Sequence, residues 1–193
     1  MEILKKYSLL DEVYAHCIAS ITTSELVLKQ LSNPIEIQNK NIWINLQTAL
    51  VHATITANYI YSQKPTAKLR TDFLKETIKP SSGSPLYNRN ARNYLIHIDE
   101  KFDHWLNDID KYNGMVESVL PNRKAFDYLN DSKKFIRRII LKEELIFIYQ
   151  VNDEIRELEL NPILEEIHKI RVNTEAALKT LEKGNNNFHI IRP

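Results

Sequence analysis

An apolar stripe with helical spacing in the first third of the chain limits what it can fold into more than any other feature. Between residues 10 and 31, apolar or small residues recur at alternating steps of four and three, which places them on one helix face. Asn33 before Pro34 predicts the end of this helix, because the residue before a proline disfavours helical geometry. The inward residues of this first helix are predicted to be Leu10, Tyr14, Cys17, Ile21, Ser24, Leu28 and Leu31.

Three more segments show the same rhythm and predict further packed helices. The second helix ends before Pro65, the third is short, and the last begins at Asn161 and Pro162 and ends at Gly184. The second stripe contains Trp43, Leu46, Leu50, Ala53, Ala57 and Ile60. The third contains Leu69, Phe73 and Ile78, and the last contains Ile163, Ile167, Ile170, Thr174, Ala177 and Leu181. His52 lies beside the second stripe and is expected to be a structural histidine.

A helix with two different faces is predicted to follow Ser84 and Pro85, since proline suits the first turn of a helix. Its apolar stripe consists of Leu95, Ile98, Phe102, Leu106 and Ile109. Well away from that stripe lie Arg89, Asn93, His97, Glu100 and His104. Arg92 lies at the edge between the two faces, and its long side chain can reach toward His97.

The segment between this helix and the last one is predicted to be mostly irregular, with one β-hairpin. Residues 111–130 contain several turn sequences, whereas β-branched and aromatic residues are dense within 144–160 and favour two antiparallel strands. One long helix beginning at Ser132 is the competing interpretation. The predicted fold class is therefore mainly α: a bundle of four to five helices with a small hairpin before the last helix. A single domain is expected over residues 1–183, with a flexible tail at 184–193.

Composition excludes several classes of function. Only three glycines occur in 193 residues, which removes the glycine-rich dinucleotide fingerprint, the P-loop and the nucleophile elbow. Cys17 is the only cysteine, so it is expected to be a buried small hydrophobe and not part of a disulfide or a cysteine-based zinc site. No apolar run approaches the roughly 18 residues of a membrane span. The N-terminus lacks the apolar core of a secretory signal, so a cytoplasmic protein is expected.

The polar face of the helix predicted after Pro85 carries residue types that can handle a phosphodiester. A histidine titrates near pH 6.5 and can transfer protons at neutral pH, and an arginine presents a fork of donors that matches phosphate oxygens. On periodicity alone, a solvated helix face remains the commoner interpretation. However, "RNYLIH" at residues 92–97 resembles the signature of the HEPN superfamily, in which an arginine and a polar residue precede a histidine. The following "HIDEKFDHWL" is similar to one subgroup.

The resemblance implies an α-helical domain that is often a homodimer, with two motif helices forming one composite site. Many members are metal-independent endoribonucleases, frequently toxins with a cognate antitoxin or antiphage effectors, and others bind nucleotides or proteins without catalysis. Carried onto this chain, His97 would be the acid/base, Arg92 would bind phosphate, and Asn93 would support them. Arg89, Glu100 and His104 would line the binding face. No cofactor and no metal is implied, and RNA or a nucleotide is the expected ligand.

Two further patterns bear on function. A basic group is a candidate RNA track, although a solvated charge run is the commoner interpretation. It consists of Lys133, Lys134, Arg137, Arg138 and Lys142. Glu165 and His168 have the spacing used by di-iron helical bundles, but that architecture needs a second such pair and two more inward carboxylates.

A non-catalytic dimeric adaptor, binding a partner through the face of His97 and His104, is the alternative to an enzyme.

Overall fold

Five α-helices and four β-strands make up the described part of the chain in the computed structural model. The structure describes residues 1–33, 40–87, 103, 106, 109–112, 114–130, 134–151 and 154–184. In chain order the elements are α1 (Ile3–Ser32), α2 (Asn41–Tyr61), α3 (Lys68–Ile78), β1 (Met115–Leu120), α4 (Arg123–Asn130), β2 (Phe135–Leu141), β3 (Ile146–Val151), β4 (Glu154–Glu159) and α5 (Leu160–Lys183).

The helices α1 and α2 form an antiparallel pair. The Ser20 hydroxyl donates a hydrogen bond to the Ala49 carbonyl at 2.9 Å, and the Asn45 amide donates to the Gln30 side chain at 3.1 Å. The predicted stripe of α2 is confirmed, since each of its six residues is buried. On α1 the prediction is wrong at Leu28, which is 40% exposed, and the core position is taken by the adjacent Val27.

The last helix, α5, completes the helical layer by packing along α1 and α3. The Tyr7 hydroxyl near the start of α1 donates to Glu182 near the end of α5 at 3.1 Å. The Asn173 amide donates to the carbonyl of Ile78, the last residue of α3, at 2.7 Å. On α5, the four predicted positions from Ile163 to Thr174 are buried, as expected. On α3 the prediction is wrong at Leu69, which is 68% exposed, and is confirmed at Ile78, which is fully buried. Phe73 packs partly buried against the core, and the fully buried Leu74 was not predicted.

The predicted fold class is wrong, because a four-stranded mixed sheet stands beside the helices. The hairpin expected at 144–160 does form: β3 and β4 pair antiparallel from Ile146 opposite Glu159 to Val151 opposite Glu154. It is half of a sheet with the order β1-β2-β3-β4, in which β1 and β2 are parallel and β2 and β3 are antiparallel. The long helix from Ser132 is also excluded, since Phe135–Leu141 is a strand.

The first strand of the parallel pair, β1, and the helix α4 lie in the stretch 111–130, which was predicted to be irregular. Pro121 ends β1, and the Asn122 side chain accepts a hydrogen bond from the Ala125 N–H at 3.3 Å, which caps the start of α4. The helix α4 then connects β1 to its parallel neighbour β2, as a crossover connection must. The pairing shifts between Val116 and Glu117, so Arg137 is an extra residue that forms a β-bulge in β2.

The two faces of the sheet are both covered, which explains the apolar character of its central strands. One face joins the helical core through Ile140, Phe147, Tyr149 and Leu158. The other face forms a second cluster with α4 that contains Phe126, Ile136, Ile139, Leu141 and Ile148. In the part of the chain that the structure describes, no helix has the length and apolar character needed to cross a membrane.

Candidate functional site

The residues of the predicted phosphodiester site lie outside the described residues. These are Arg89, Arg92, Asn93, His97, Glu100 and His104. Their positions therefore stay predictions. On the N-terminal side, Pro85–Tyr87 forms a short 3-10 turn, and the Ser84 hydroxyl accepts the Leu86 N–H at 3.3 Å. Farther along, Leu106 is helical but 47% exposed, so its predicted inward position is wrong.

The basic group proposed as an RNA track is partly committed to ion pairs within the sheet. Lys133 lies outside the described residues. The Glu117 carboxylate on β1 binds both arginines of β2, with its Oε2 at 2.7 Å from Arg138 Nε and 3.1 Å from Arg137 Nη1. The Arg138 guanidinium also lies 4.8 Å from the ring centre of Trp43 on α2. The single Glu117 carboxylate balances one of the two guanidinium charges and holds both arginines at the sheet.

The di-iron interpretation of Glu165 and His168 is excluded at this pair. Both side chains are exposed on α5, whereas a di-iron bundle needs its ligands inside. The neighbouring Glu166 is the buried carboxylate, and it accepts the Ser81 N–H at 2.9 Å. Within the described ranges, no three His, Cys, Asp or Glu side chains are grouped so that they can hold a metal ion.

Two histidines meet at the interface between α1 and α2, a pairing that sequence reasoning missed. The Nδ1 atoms of His16 and His52 are 2.8 Å apart, and both side chains are half-buried. Glu12 Oε2 lies 3.8 Å from His16 Nε2, and the Tyr59 ring lies 6.1 Å from the His16 ring. Burial, and secondarily the neighbouring His16, lowers the pKa of His52 below its usual range. This histidine therefore favours the neutral form.

A signal for this pairing is present in the sequence. Because the connection between α1 and α2 is short, residues at similar distances before and after it must meet in an antiparallel pair. His16 and His52 lie at roughly such matched positions, as do Ser20 and Ala49, which share a hydrogen bond. The prediction that His52 lies beside the apolar stripe is confirmed, but the stripe of one helix does not specify a partner on another helix.

The layer next to the histidines holds the single cysteine. Cys17 is fully buried, with its sulfur 3.9 Å from the Thr56 hydroxyl of α2. Burial raises the pKa of the thiol to about 12, so the thiolate is scarce at neutral pH. The expectation that Cys17 is a buried small hydrophobe is confirmed.

A small apolar cavity lies between α1, α2, the β2–β3 turn and the start of α5. Its lining includes Val27, Leu31, Leu46, Leu50, Leu145, Leu160 and Ile163. Its volume is about 20 Å³, far below the several hundred Å³ of typical ligand pockets. The two serines on its wall, Ser20 and Ser24, already donate to backbone carbonyls. The cavity is therefore a packing defect rather than a small-molecule site.

Comparisons with protein-family models, with curated proteins and with solved structures found no match for this chain.

Proposed function

We propose that this chain is a metal-independent endoribonuclease of the HEPN type, with Arg92, Asn93 and His97 as its catalytic residues. The observation that carries the proposal is the motif itself, in which Arg92 and the adjacent Asn93 precede His97 by about one helical turn. His97 removes the proton from the ribose 2′-hydroxyl and returns a proton to the leaving oxygen. Arg92 stabilises the charge that develops on the phosphoryl oxygens.

The four-stranded sheet departs from the helical bundle with one small hairpin that was expected with the HEPN resemblance. The proposal is therefore supported by the motif and its chemistry, and not by the fold. The basic group on β2 adds no support, because Arg137 and Arg138 are paired with Glu117.

The decisive experiment is cleavage of RNA by the purified protein with EDTA present. The His97→Ala variant should lose activity by about a hundredfold to ten-thousandfold, because no other motif residue both accepts and donates a proton. Arg92→Lys should also be severely impaired, since a point charge does not reproduce the forked contact to two phosphate oxygens. The products should carry 2′,3′-cyclic phosphates, the mark of attack by the neighbouring hydroxyl.

The matched control is His104→Ala, which removes an imidazole from the same predicted face outside the motif. This variant should keep most of the activity. Cleavage by His97→Ala at the parental rate would instead mean that the activity comes from a contaminant or from another site.

A composite site also requires two copies of the motif, so we propose a homodimer formed through the face of Arg89, Asn93, His97 and His104. Closed two-fold dimers present the same patch from both subunits. Light scattering at micromolar protein should give about twice the chain mass. A monomer at every concentration tested would remove the composite site.

The second candidate is a non-catalytic dimer that binds a nucleotide or a protein partner, such as a cognate antitoxin. The observation that favours it is Glu100, one turn after His97, whose negative charge opposes a bound phosphate. A protein that forms the dimer but leaves every RNA intact would support this adaptor function over the enzyme.

A further inference from the structure

The contact between His16 and His52 brings the Nδ1 atoms of two imidazoles within hydrogen-bond distance. The ring centres are 5.0 Å apart and the Nδ1 atoms are 2.8 Å apart, so the two nitrogens point almost directly at each other. A hydrogen bond of this kind needs one Nδ1 that carries a proton and one that offers its lone pair. The contact therefore exists only while at least one of the two Nδ1 atoms is unprotonated.

Two imidazole nitrogens are also common ligands of divalent cations, but this geometry does not favour such a site. Nitrogens that bind one metal ion converge on a third point, whereas these two point at each other. Among the described residues, no third His, Cys, Asp or Glu is placed to complete a metal site. A shared proton explains the observed contact without another ligand.

The surroundings accept one positive charge at this position more easily than two. The titratable and charged groups near the pair are Glu12 on α1, Tyr59 on α2 and Arg70 on α3, which lies against Tyr59. From α5, Arg171, which is paired with Glu175, acts electrostatically on Cys17, the residue after His16. Glu12 can balance a first proton on His16, because its carboxylate lies 3.8 Å from Nε2. Arg70 adds a positive charge 5.3 Å from the ring centre of Tyr59, which itself lies beside His16.

We infer that His16 and His52 form an acid-sensitive lock between α1 and α2, which is intact while they share one proton and opens when both imidazoles are protonated. In the doubly protonated state two N–H groups would meet head to head in a half-buried space. The antiparallel helix pair would then lose this contact and gain a charge repulsion. The chemical signal to which the lock responds is the proton.

The sign of the effect follows from the lowered pKa of His52. The unfolded chain binds a proton at this residue near pH 6.5, whereas the folded chain resists it until a lower pH. The stabilisation is therefore complete above about pH 6.5 and is lost as the pH falls toward the pKa of the folded state. One proton changes the unfolding equilibrium constant by at most about tenfold per pH unit.

The test compares the pH dependence of urea unfolding in the parent and in His52→Gln, whose amide can form a hydrogen bond but cannot titrate. Below about pH 6.5 the parent's unfolding constant should rise more steeply than that of the variant. The matched control is His168→Gln, an exposed histidine on α5, which should keep the parental steepness. An equal rise in the parent and in His52→Gln would overturn the lock.

A second measurement needs no variant, so it applies even if His52→Gln fails to fold. Nitrogen chemical shifts of the histidine rings at pH 7.5 should show that either His16 or His52 carries its proton on Nδ1. If both carry it on Nε2, the head-on contact does not exist and the lock is refuted. Thermal stabilisation by added Zn²⁺ that is lost in His52→Gln would also overturn it, in favour of a cation site.

Discussion

Replacing Arg138 by alanine should destabilise the protein much more than replacing its neighbour Arg137. Both arginines bind the same carboxylate, Glu117, from adjacent positions on β2. Arg138 donates at 2.7 Å, is 16% exposed and covers the ring of Trp43, whereas Arg137 is 33% exposed and donates at 3.1 Å. The bulge at Arg137 creates this asymmetry, because it inserts one residue and leaves Arg138 in register opposite Glu117.

The expected magnitudes follow from these environments. A hydrogen bond between charged groups contributes about 1.5–3 kcal/mol, and a partly desolvated cation–π contact adds about 1 kcal/mol. Because the two terms share one side chain and do not simply add, Arg138→Ala should cost about 2–3 kcal/mol. Arg137→Ala should cost below about 1 kcal/mol, as is usual for a more exposed ion pair.

The assay is urea unfolding followed by circular dichroism, with tryptophan fluorescence as a second probe, because Trp43 touches Arg138. For a chain of this length, the melting temperature of Arg138→Ala should fall by about 4–12 °C. A double-mutant cycle with Glu117→Ala should give a coupling energy for Arg138 that clearly exceeds the coupling energy for Arg137.

Equal losses at the two positions would refute the reasoning, because they would mean that the bulge does not distinguish the two side chains. A different refutation would come from RNA binding. If both variants kept full stability but bound RNA more weakly, the arginines would be a cationic track and not structural ion pairs.

Three further predictions concern other parts of the fold. Glu166→Ala should lower the free energy of unfolding by about 1–3 kcal/mol, because it leaves the Ser81 N–H without this acceptor. Glu166→Gln keeps an acceptor oxygen and should cost less, and urea unfolding of both variants measures the difference. Cys17 should react with a thiol reagent only as fast as the protein opens, so its labelling rate at neutral pH should rise in urea together with unfolding. Lys79→Gly should raise the free energy of unfolding by about 0.5–1 kcal/mol, because this exposed residue after α3 has a left-handed φ of 49°, which glycine adopts more easily. An unchanged or lower free energy of unfolding would contradict this prediction.

Periodicity predicted the long helices well, because each packs one stripe against the core. All six stripe residues of α2 are buried, and α5 begins one residue before the predicted Asn161. On α3 the error arose because the chosen spacing was not truly helical. On α3 the buried residues are Thr71, Leu74 and Ile78, at steps of three and four, whereas the predicted stripe started at Leu69 with steps of four and five.

The sheet was only half predictable, for a physical reason. The strands β3 and β4 were found because β-branched and aromatic residues are dense in β3 and polar residues alternate in β4. Strand β2 is buried on both faces and therefore lacks alternation, and the bulge at Arg137 interrupts what pattern remains. Strand β1 is short and sits between Gly114 and Pro121, so turn residues on both sides made the whole segment resemble a loop.

The candidate sites show the same limit. The Arg92–His97 motif is recognisable because its residues are close together in the sequence, and its role stays a prediction. The contact between His16 and His52 depends on how two helices align, which a stripe on either helix alone does not specify. The ion pairs of Arg137 and Arg138 with Glu117 depend on the β1–β2 register, which the sequence did not predict.

The packing of the first helix against the last one has a consequence for how the protein is made. Tyr7 finds its partner Glu182 only when 175 further residues have been synthesised. On the ribosome, α1 and α2 can pair early, but the side of α1 that α5 covers stays exposed to water until α5 has been synthesised. A nascent chain that stalls before residue 160 would present that apolar surface to chaperones and to other chains. Completion of the core, and with it resistance to proteolysis, is thus tied to the synthesis of α5.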